Sequence, residues 1–492
     1  MAADDITFVR TELSTALVRY GIVRDCVEQK VKDKASLYLP EPSVEADQAD
    51  RDARYAAYLL RAVFYAVTSR TLLGMVGQVY ASVLDIKLPA LLEFMREDAT
   101  GSGLSLEQLS KDTMQDTLAV GRAGVYVDYP TATGPVTRKQ VVNGTMRPTI
   151  TTYRPESIIN WREKRRGAKT VLSLVVLREI VDVEGAFNID QVEQYRELRL
   201  VDDVYTVRVW RFTDVRAENG TTTKQLTMTA MATPRDSTGK TFDEIPFTFV
   251  GSTNNDASVD PAPLYDLAEL NLAHYRNSAD YEESCFIVGQ PTPWFSGLTE
   301  SWVTDVLKGK VLLGSRAAVL LPENSQAGLL QVAPNSMPME AMKHKEAQMV
   351  ALGARLVENR AVRRTLGEVQ QSNASETSIL ASCANNVSAA YTRALRVAAA
   401  FVGAAPEECV FTLPTDFAMT QLPADMRMQL IADMQAGTLS YTEVRGMLRR
   451  SGLTLDDDAA AKAEIDKDAA AKAEREAAAK PQPAAAIDNR AK

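Results

Sequence analysis

The sequence predicts an α+β fold, predominantly helical. Three observations carry it: two long helical patterns flank a compact mixed segment, a polar turn then leads into a third long helix ending at Gly403, and residues 124 to 250 switch to the period of short strands. That order suits a hollow ring built around something long.

The first long pattern opens after Asp260-Pro261-Ala262-Pro263. It runs through Leu264, Leu267, Leu270, Asn271, His274, Tyr275, Ser278 and Tyr281 to Phe286, with Gly289 and Pro291 closing it. At the ordinary helical rise this is on the order of 40 Å, long enough for one stave of a cylinder wall. The second starts near Pro338, repeats Met342, Met349 and Leu356 at seven-residue spacing, and ends near Glu358-Asn359. The third places Ile379, Leu380, Cys383, Val387, Ala390, Tyr391, Ala394, Leu395, Ala398 and Phe401 on one face, its alanines permitting close helix contact. Asn373 with Glu376 has the spacing of a capping box for its start.

Upstream, residues 1 to about 118 read as helical, through Ile6, Val9, Leu13 and Leu17 and again through Tyr55, Tyr58, Leu59, Ala62, Val63, Val67 and Leu72. Strands are expected at Val125 to Val127, Thr149 to Tyr153, Val171 to Leu177, Val204 to Trp210 and Pro246 to Val250, with Asn143-Gly144 and Asn219-Gly220 as hairpin turns. After Gly403 the sequence offers a short strand at Val410 to Leu413 and helices at Pro423 to Met434 and Ser440 to Arg450, the latter opened by a Ser440/Glu443 capping box. From Asp456 to Lys480, Ala-Ala-Ala-Lys units with acids four residues before bases (Asp458 with Lys462, Asp468 with Lys472, Glu476 with Lys480) favour a solvated helical spacer, and a disordered end is expected after Pro481.

The length of 492 residues predicts about three domains, and 46% hydrophobic with 24% charged residues supplies a large core. No apolar run approaches the roughly 18 residues of a membrane span, and Met1-Ala2-Ala3-Asp4-Asp5 lacks the basic start of a signal peptide, so a soluble protein made in a cytoplasm is expected. Cys26, Cys285, Cys383 and Cys409 are scattered, and His274 and His344 are the two histidines; neither a zinc site nor a disulfide framework is expected. The net charge of -9 argues against tight, general binding to phosphate backbones, though not against a channel through which nucleic acid slides.

Chemical motifs are few. Ser237-Thr238-Gly239-Lys240-Thr241 imitates the end of a phosphate-binding loop, but Pro234 stands where its first glycine belongs and Phe242 to Pro246 reads as extended. No hydrolase, zincin or EF-hand pattern appears, so no catalytic residue, metal or cofactor is expected, and His274 reads as a packing or interhelical hydrogen-bonding residue. Arg162, Lys164, Arg165, Arg166 and Lys169 form a basic cluster, read as a solvated strand connection before a DNA contact.

Several segments resemble, in order, the portal (head-to-tail connector) proteins of tailed bacteriophages. They are Lys34-Ala-Ser-Leu-Tyr-Leu-Pro40, Tyr55-Ala-Ala-Tyr-Leu-Leu-Arg-Ala-Val-Phe64, Arg70-Thr-Leu-Leu-Gly-Met-Val-Gly77, Gly124-Val-Tyr-Val-Asp-Tyr-Pro130, Tyr153-Arg-Pro-Glu-Ser-Ile-Ile-Asn-Trp161, Pro263-Leu-Tyr-Asp-Leu-Ala268 with Asn271 and His274, and Gly437-Thr-Leu-Ser-Tyr-Thr-Glu-Val444. They cover most of residues 30 to 452; each is a fold-determining rather than a chemical motif.

The resemblance implies a portal fold: wing 1–260, with a β-rich part 120–250; stem helix 261–289; clip 290–336; second stem helix 337–359; tunnel loop 360–373; long wing helix 374–403; crown 404–455; and a tail 456–492 outside the family pattern. It implies a structural protein, not an enzyme: a homododecameric ring at a unique capsid vertex of the virion, synthesised in the bacterial host cytoplasm. Double-stranded DNA would be packaged and ejected through that ring. The partners it implies are the terminase large subunit, head-completion or adaptor proteins, and the major capsid and scaffolding proteins, without a membrane. Arg360, Arg363, Arg364, Gln370 and Gln371 would face DNA in the tunnel loop, unless the arginines pair with Glu358 and Glu368 or cover a helix end. Trp294, Trp302, Lys308 and Lys310 would face motor or adaptor in the clip, unless buried there or between subunits. The alternative from another class is a packaging ATPase or nuclease using the loop at Gly239.

Overall fold

The computed structural model describes residues 5–42, 47–130, 140, 146–185, 187–216, 222–289, 292–308, 310–311, 320–330, 336–357, 378–415, 424–450, 462–464 and 466–467. The chain divides into two units, Met1–Gly77 with Asp85–Leu413 and Gln78–Leu84 with Pro414–Lys492.

The first unit opens with helices α1 (Thr11–Val27), α2 (Gln48–Arg61) and α3 (Val67–Val79), the last two residues of α3 falling in the second unit. Asp47 starts α2 by accepting hydrogen bonds from the amides of Ala49 and Asp50. Helix α4 (Leu106–Val120) is capped by Ser105 Oγ on the Gln108 amide and stopped by Gly121, whose φ of +81° a left-handed cap requires. Strand β2 (Arg122–Asp128) leaves that turn into a three-stranded antiparallel sheet, between β3 (Thr149–Tyr153) and β9 (Phe247–Gly251). At its start Arg122 is buried, its Cζ 4.3 Å from the Trp161 ring centre and 4.0 Å from that of Phe249, with Nη1 donating to the Ala257 carbonyl at 3.0 Å.

A second sheet is a five-stranded antiparallel meander: β4 (Ile158–Arg166), β5 (Lys169–Glu184), β6 (Ile189–Val201), β7 (Val204–Arg216) and β8 (Thr222–Ala232). The sequence reading missed β4, β6 and β8, whose dense Arg, Glu, Gln and Thr obscure the apolar alternation. The basic cluster is correspondingly not a loop. Arg162 to Arg166 lie in β4 and Lys169 in β5, across a tight turn at Gly167, with Arg166 paired to Asp243 at 3.1 Å and Lys164 to Asp203. Ile6 and Val9, read as the first helical turns, precede α1 and pack on the sheet residues Ile159, Leu174, Val176 and Tyr195.

The two long helices that follow are α5 (Tyr265–Gly289) and α6 (Met337–Val357), joined through β10 (Thr292–Ser296), one π-helical turn (Trp302–Val306) and β11 (Gln326–Leu330). Helix α7 (Ile379–Val402) is the centre of the core: Leu380, Cys383, Val387, Tyr391, Leu395 and Phe401 are buried against α4, β2, β9 and β12 (Val410–Thr412). Its buried alanines let it lie close enough for Asn386 Nδ2 to donate to the Gly251 carbonyl at 2.8 Å and Tyr391 to share a 2.8 Å hydrogen bond with Thr113. The cap of α7 is Ser378, accepting from the Ala381 amide at 3.2 Å; Asn373 and Glu376 lie outside the described residues, as do Asn143-Gly144 and Asn219-Gly220. β12 pairs with β1 (Asp85–Lys87).

In the second unit, α8 (Ala424–Gln435) packs on α9 (Tyr441–Arg450) through Leu430 and Val444, flanked by Met434, Leu439 and Leu448. The expected capping box is present: Ser440 Oγ accepts from the Glu443 amide at 3.2 Å while Glu443 Oε2 accepts from the Ser440 amide at 2.8 Å. The described tail residues 462–464 and 466–467 are helical. Among the described residues no helix is long and apolar enough to cross a membrane.

Candidate oligomer and channel elements

Helices α5 and α6 pack along each other, and buried polar side chains on α5 fix what lies on either side. Asn271, fully buried, reaches the segment between α2 and α3: its Nδ2 donates to the Tyr65 carbonyl at 2.8 Å and its Oδ1 accepts from the Thr68 amide at 3.2 Å and hydroxyl at 3.0 Å. Ser278 Oγ donates to the Val63 carbonyl at 2.7 Å and receives the Val63 amide at 3.2 Å. The apolar pattern running from Tyr55 to Leu72 is therefore two helices, not one. Its break at residues 62–66 is held by hydrogen bonds from α5 instead of by a proline or glycine. His274, also buried, places Nε2 3.3 Å from Glu346 Oε1 on α6 and its ring centre 6.0 Å from that of Tyr65; its Nδ1 finds no partner among the described residues. This is the interhelical role that its place on a helix suggested.

Beyond the helix pair, the described residues between α5 and α6 form no interior. None of its residues whose burial is described is buried, and Val303, Val306, Leu320, Leu329 and Leu330 are exposed apolar side chains. Trp294 is 42% exposed, opposite Gly328 in the β10–β11 ladder, with its indole so close that a Cβ at Gly328 would meet Nε1 at 2.8 Å. Trp302 is half-buried and donates Nε1 to the Leu320 carbonyl at 3.2 Å. Lys308, with φ +48°, and Lys310 are exposed. The two tryptophans and two lysines thus share one small module. An isolated two-stranded ribbon is marginal in water. Arg360, Arg363, Arg364, Gln370 and Gln371 lie outside the described residues.

The loop at Gly239 is already filled. Asp236 Oδ1 accepts from the Thr238 amide at 2.9 Å, the Lys240 amide at 2.9 Å and the Thr238 hydroxyl at 2.6 Å. A carboxylate sits where a phosphate would need those amides, and Arg235 and Thr241 pair as an antiparallel bridge instead of opening a helix. Partial burial opposes ionisation of Asp236, but the Thr238 hydroxyl and the loop amides outweigh it and hold the carboxyl below the usual carboxylate range. The four cysteines are free thiols; burial pushes Cys26 and Cys383 up to about 12. Among the described residues no cluster of histidine, cysteine, aspartate or glutamate is arranged to hold a metal ion.

Known proteins add two likenesses. A family described as "Domain of unknown function (DUF4055)" matches residues 263–402, the stretch from the start of α5 to the end of α7. A solved structure described as the neck of an empty GTA particle, computed with C6 symmetry, is similar with a TM-score of 0.40 and 15% identity, covering 78% of this chain and 90% of that one. No curated protein matches.

Glu346, Thr68 and the carbonyls of Val63 and Tyr65 escaped the sequence reading. No spacing rule links position 274 to 346, or 271 to 65, because these partners are set by how α5 lies against other helices. The available signal was the set Asn271, His274 and Ser278 at three- and four-residue spacing: polar side chains along one face of an otherwise apolar helix stripe.

Proposed function

We propose that this chain is the subunit of a bacteriophage portal: a dodecameric ring at one capsid vertex of the virion that conducts double-stranded DNA during packaging and ejection. Its clip serves as the docking platform for the terminase and afterwards for head-completion proteins. The observation that carries this reading is the arm built from α5, β10, β11 and α6: two long antiparallel staves ending in a module that buries none of its described residues. Such an arm is poorly covered in one chain and is completed when copies stand side by side, a heterologous contact that closes into a ring. The ordered sequence segments from Lys34 to Val444 support the same reading.

In this reading the chain has no catalytic activity of its own; Asp236 occupying the loop amides leaves no cradle there for a nucleotide phosphate. A chain of net charge -9 suits a conduit, because a lumen dense in arginine would release counterions and grip the duplex at every step. Electron microscopy and native mass spectrometry of the purified full chain test the proposal: rings with a central hole and no nucleotide turnover are expected. A monomer at every concentration, or ATP hydrolysis abolished by Lys240→Ala, overturns it. Replacing Arg360, Arg363 and Arg364 with alanine is expected to leave rings intact and to alter the length or retention of packaged DNA.

A further inference from the structure

The α5–α6 pair presents two unlike faces on its opposite sides. Asn271 and Ser278 on α5 and Gly353 on α6, whose Cβ position lies 3.5 Å from Thr71, face the α2–α3 side. On the helical wheel Asp266, Glu269, Leu270 and Ala273 of α5 and Gln348, Ala351 and Leu352 of α6 lie on the other side, where they line a groove of about 1140 Å³ with α1 and the turn at Leu37. The groove is apolar within, and two of its α1-side residues are bare: Val18 is 70% and Leu37 68% exposed. One end is acidic. Asp266 forms no ion pair among the described residues, and Glu269 accepts only the Tyr265 hydroxyl, at 2.5 Å.

The outer edge of α2 and α3 is also apolar but carries the opposite charge. Leu60 is 79%, Val63 53% and Leu73 57% exposed, and Arg70 is the lone charged residue of α3, its guanidinium without a partner among the described residues. Gly74 and Gly77 continue that edge with nothing within 4 Å of where a Cβ would stand, so another helix pair can approach closely. We infer that the groove of one copy receives the α3 edge of the next, Leu73 entering the apolar floor and Arg70 meeting Asp266 and Glu269. The occupant is a second copy of this chain because the edge and the groove match in charge and polarity. Lying on opposite sides of one helix pair, they repeat head to tail. This rests on the ring reading above and names the surface that builds it.

Charge reversal tests it. Arg70→Glu, or Asp266→Arg with Glu269→Arg, is expected to lower the ring fraction of the full chain at fixed concentration by at least about tenfold, because like charges then face each other. Combining the three substitutions is expected to restore it, and circular dichroism to show all variants folded. Gly74→Cys with Ala273→Cys, in a Cys285→Ser background, is expected to give a ladder of disulfide-linked copies. Rings at wild-type yield with each reversal, or cross-links confined to single chains, overturn this interface while leaving the ring reading standing. A wild-type chain that never self-associates overturns both.

Discussion

The fully buried Asn271 donates its side-chain amide to the Tyr65 carbonyl at 2.8 Å, and the same side chain accepts from Thr68. One residue of α5 thus supplies what the backbone lost where α2 and α3 part. Asn271→Leu strands the Thr68 amide, at about 1–3 kcal/mol for a buried donor without a partner, and leaves the Tyr65 carbonyl with the Val67 amide at 2.7 Å. We expect a loss of about 1–3 kcal/mol in urea unfolding, and hydrogen exchange of the Thr68 amide accelerated more than that of α4. Ser278→Ala, which removes a hydroxyl bonded to Val63, is expected to cost less, about 1 kcal/mol.

Gly121 and Gly403 both end helices with positive φ, of +81° and +70°, but their surroundings differ. A Cβ at Gly121 would stand 2.3 Å from the Pro261 carbonyl oxygen, in backbone that precedes α5; at Gly403 it would meet only the Ser237 hydroxyl at 3.0 Å. Both alanine variants carry the left-handed penalty of about 1–2 kcal/mol. Gly121→Ala is expected to add a backbone displacement and lower the melting temperature well beyond Gly403→Ala; equal melting temperatures would contradict this.

Much of the fold was legible where hydrophobic period and punctuation agree. The C-terminal end of α7 was read within two residues, since Gly403 stops it in a left-handed cap, and α5 is helical through Gly289, the last residue described before the gap. Two strands of the meander were seen: β5 and β7 carry Val-rich runs, whereas β4 and β6 are charged ladders and β8 is rich in threonine, their strand character coming from pairing with neighbours. The helix break at residues 62–66 has no local cause and was invisible. Of the candidate site, the two tryptophans and two lysines between α5 and α6 were found together because they are close in sequence. The groove was not found, because its residues come from four separate segments.

The Asp236 loop makes a pH prediction. Its carboxyl titrates below the usual range when folded, so the ionised form is favoured by the fold; the contribution is complete above the unfolded value of about 3.9 and is lost as pH falls through the lower folded value. Proteolysis or hydrogen exchange of residues 235–241 is expected to stay slow at neutral pH and quicken only below about pH 4. Asp236→Asn removes the charge and is expected to make the loop open at all pH values. A wild-type loop whose exchange, corrected for intrinsic rate, ignores pH would contradict the assignment.

The residues before α1 clamp the meander. Ile6 and Val9 pack on Ile159, Leu174, Val176 and Tyr195, and the Arg10 amide and Nη1 each donate at 3.0 Å, to the carbonyls of Ile159 and Trp161. The Arg10 guanidinium also lies 4.6 Å over the Trp161 ring, on which Arg122 stacks at 4.3 Å. Two partly buried aliphatic side chains and two hydrogen bonds are together worth about 2–4 kcal/mol. Deleting residues 1–10 is therefore expected to destabilise the first unit by that amount, while Arg10→Ala alone takes about 1–2 kcal/mol. Tryptophan fluorescence during urea unfolding reads both. Because α1 also lines the groove proposed to receive the neighbouring copy, the deletion separates two effects: a weakened fold with rings still forming at low temperature shows the clamp acting on the sheet alone, and rings lost while the fold persists would show that it positions α1 as well.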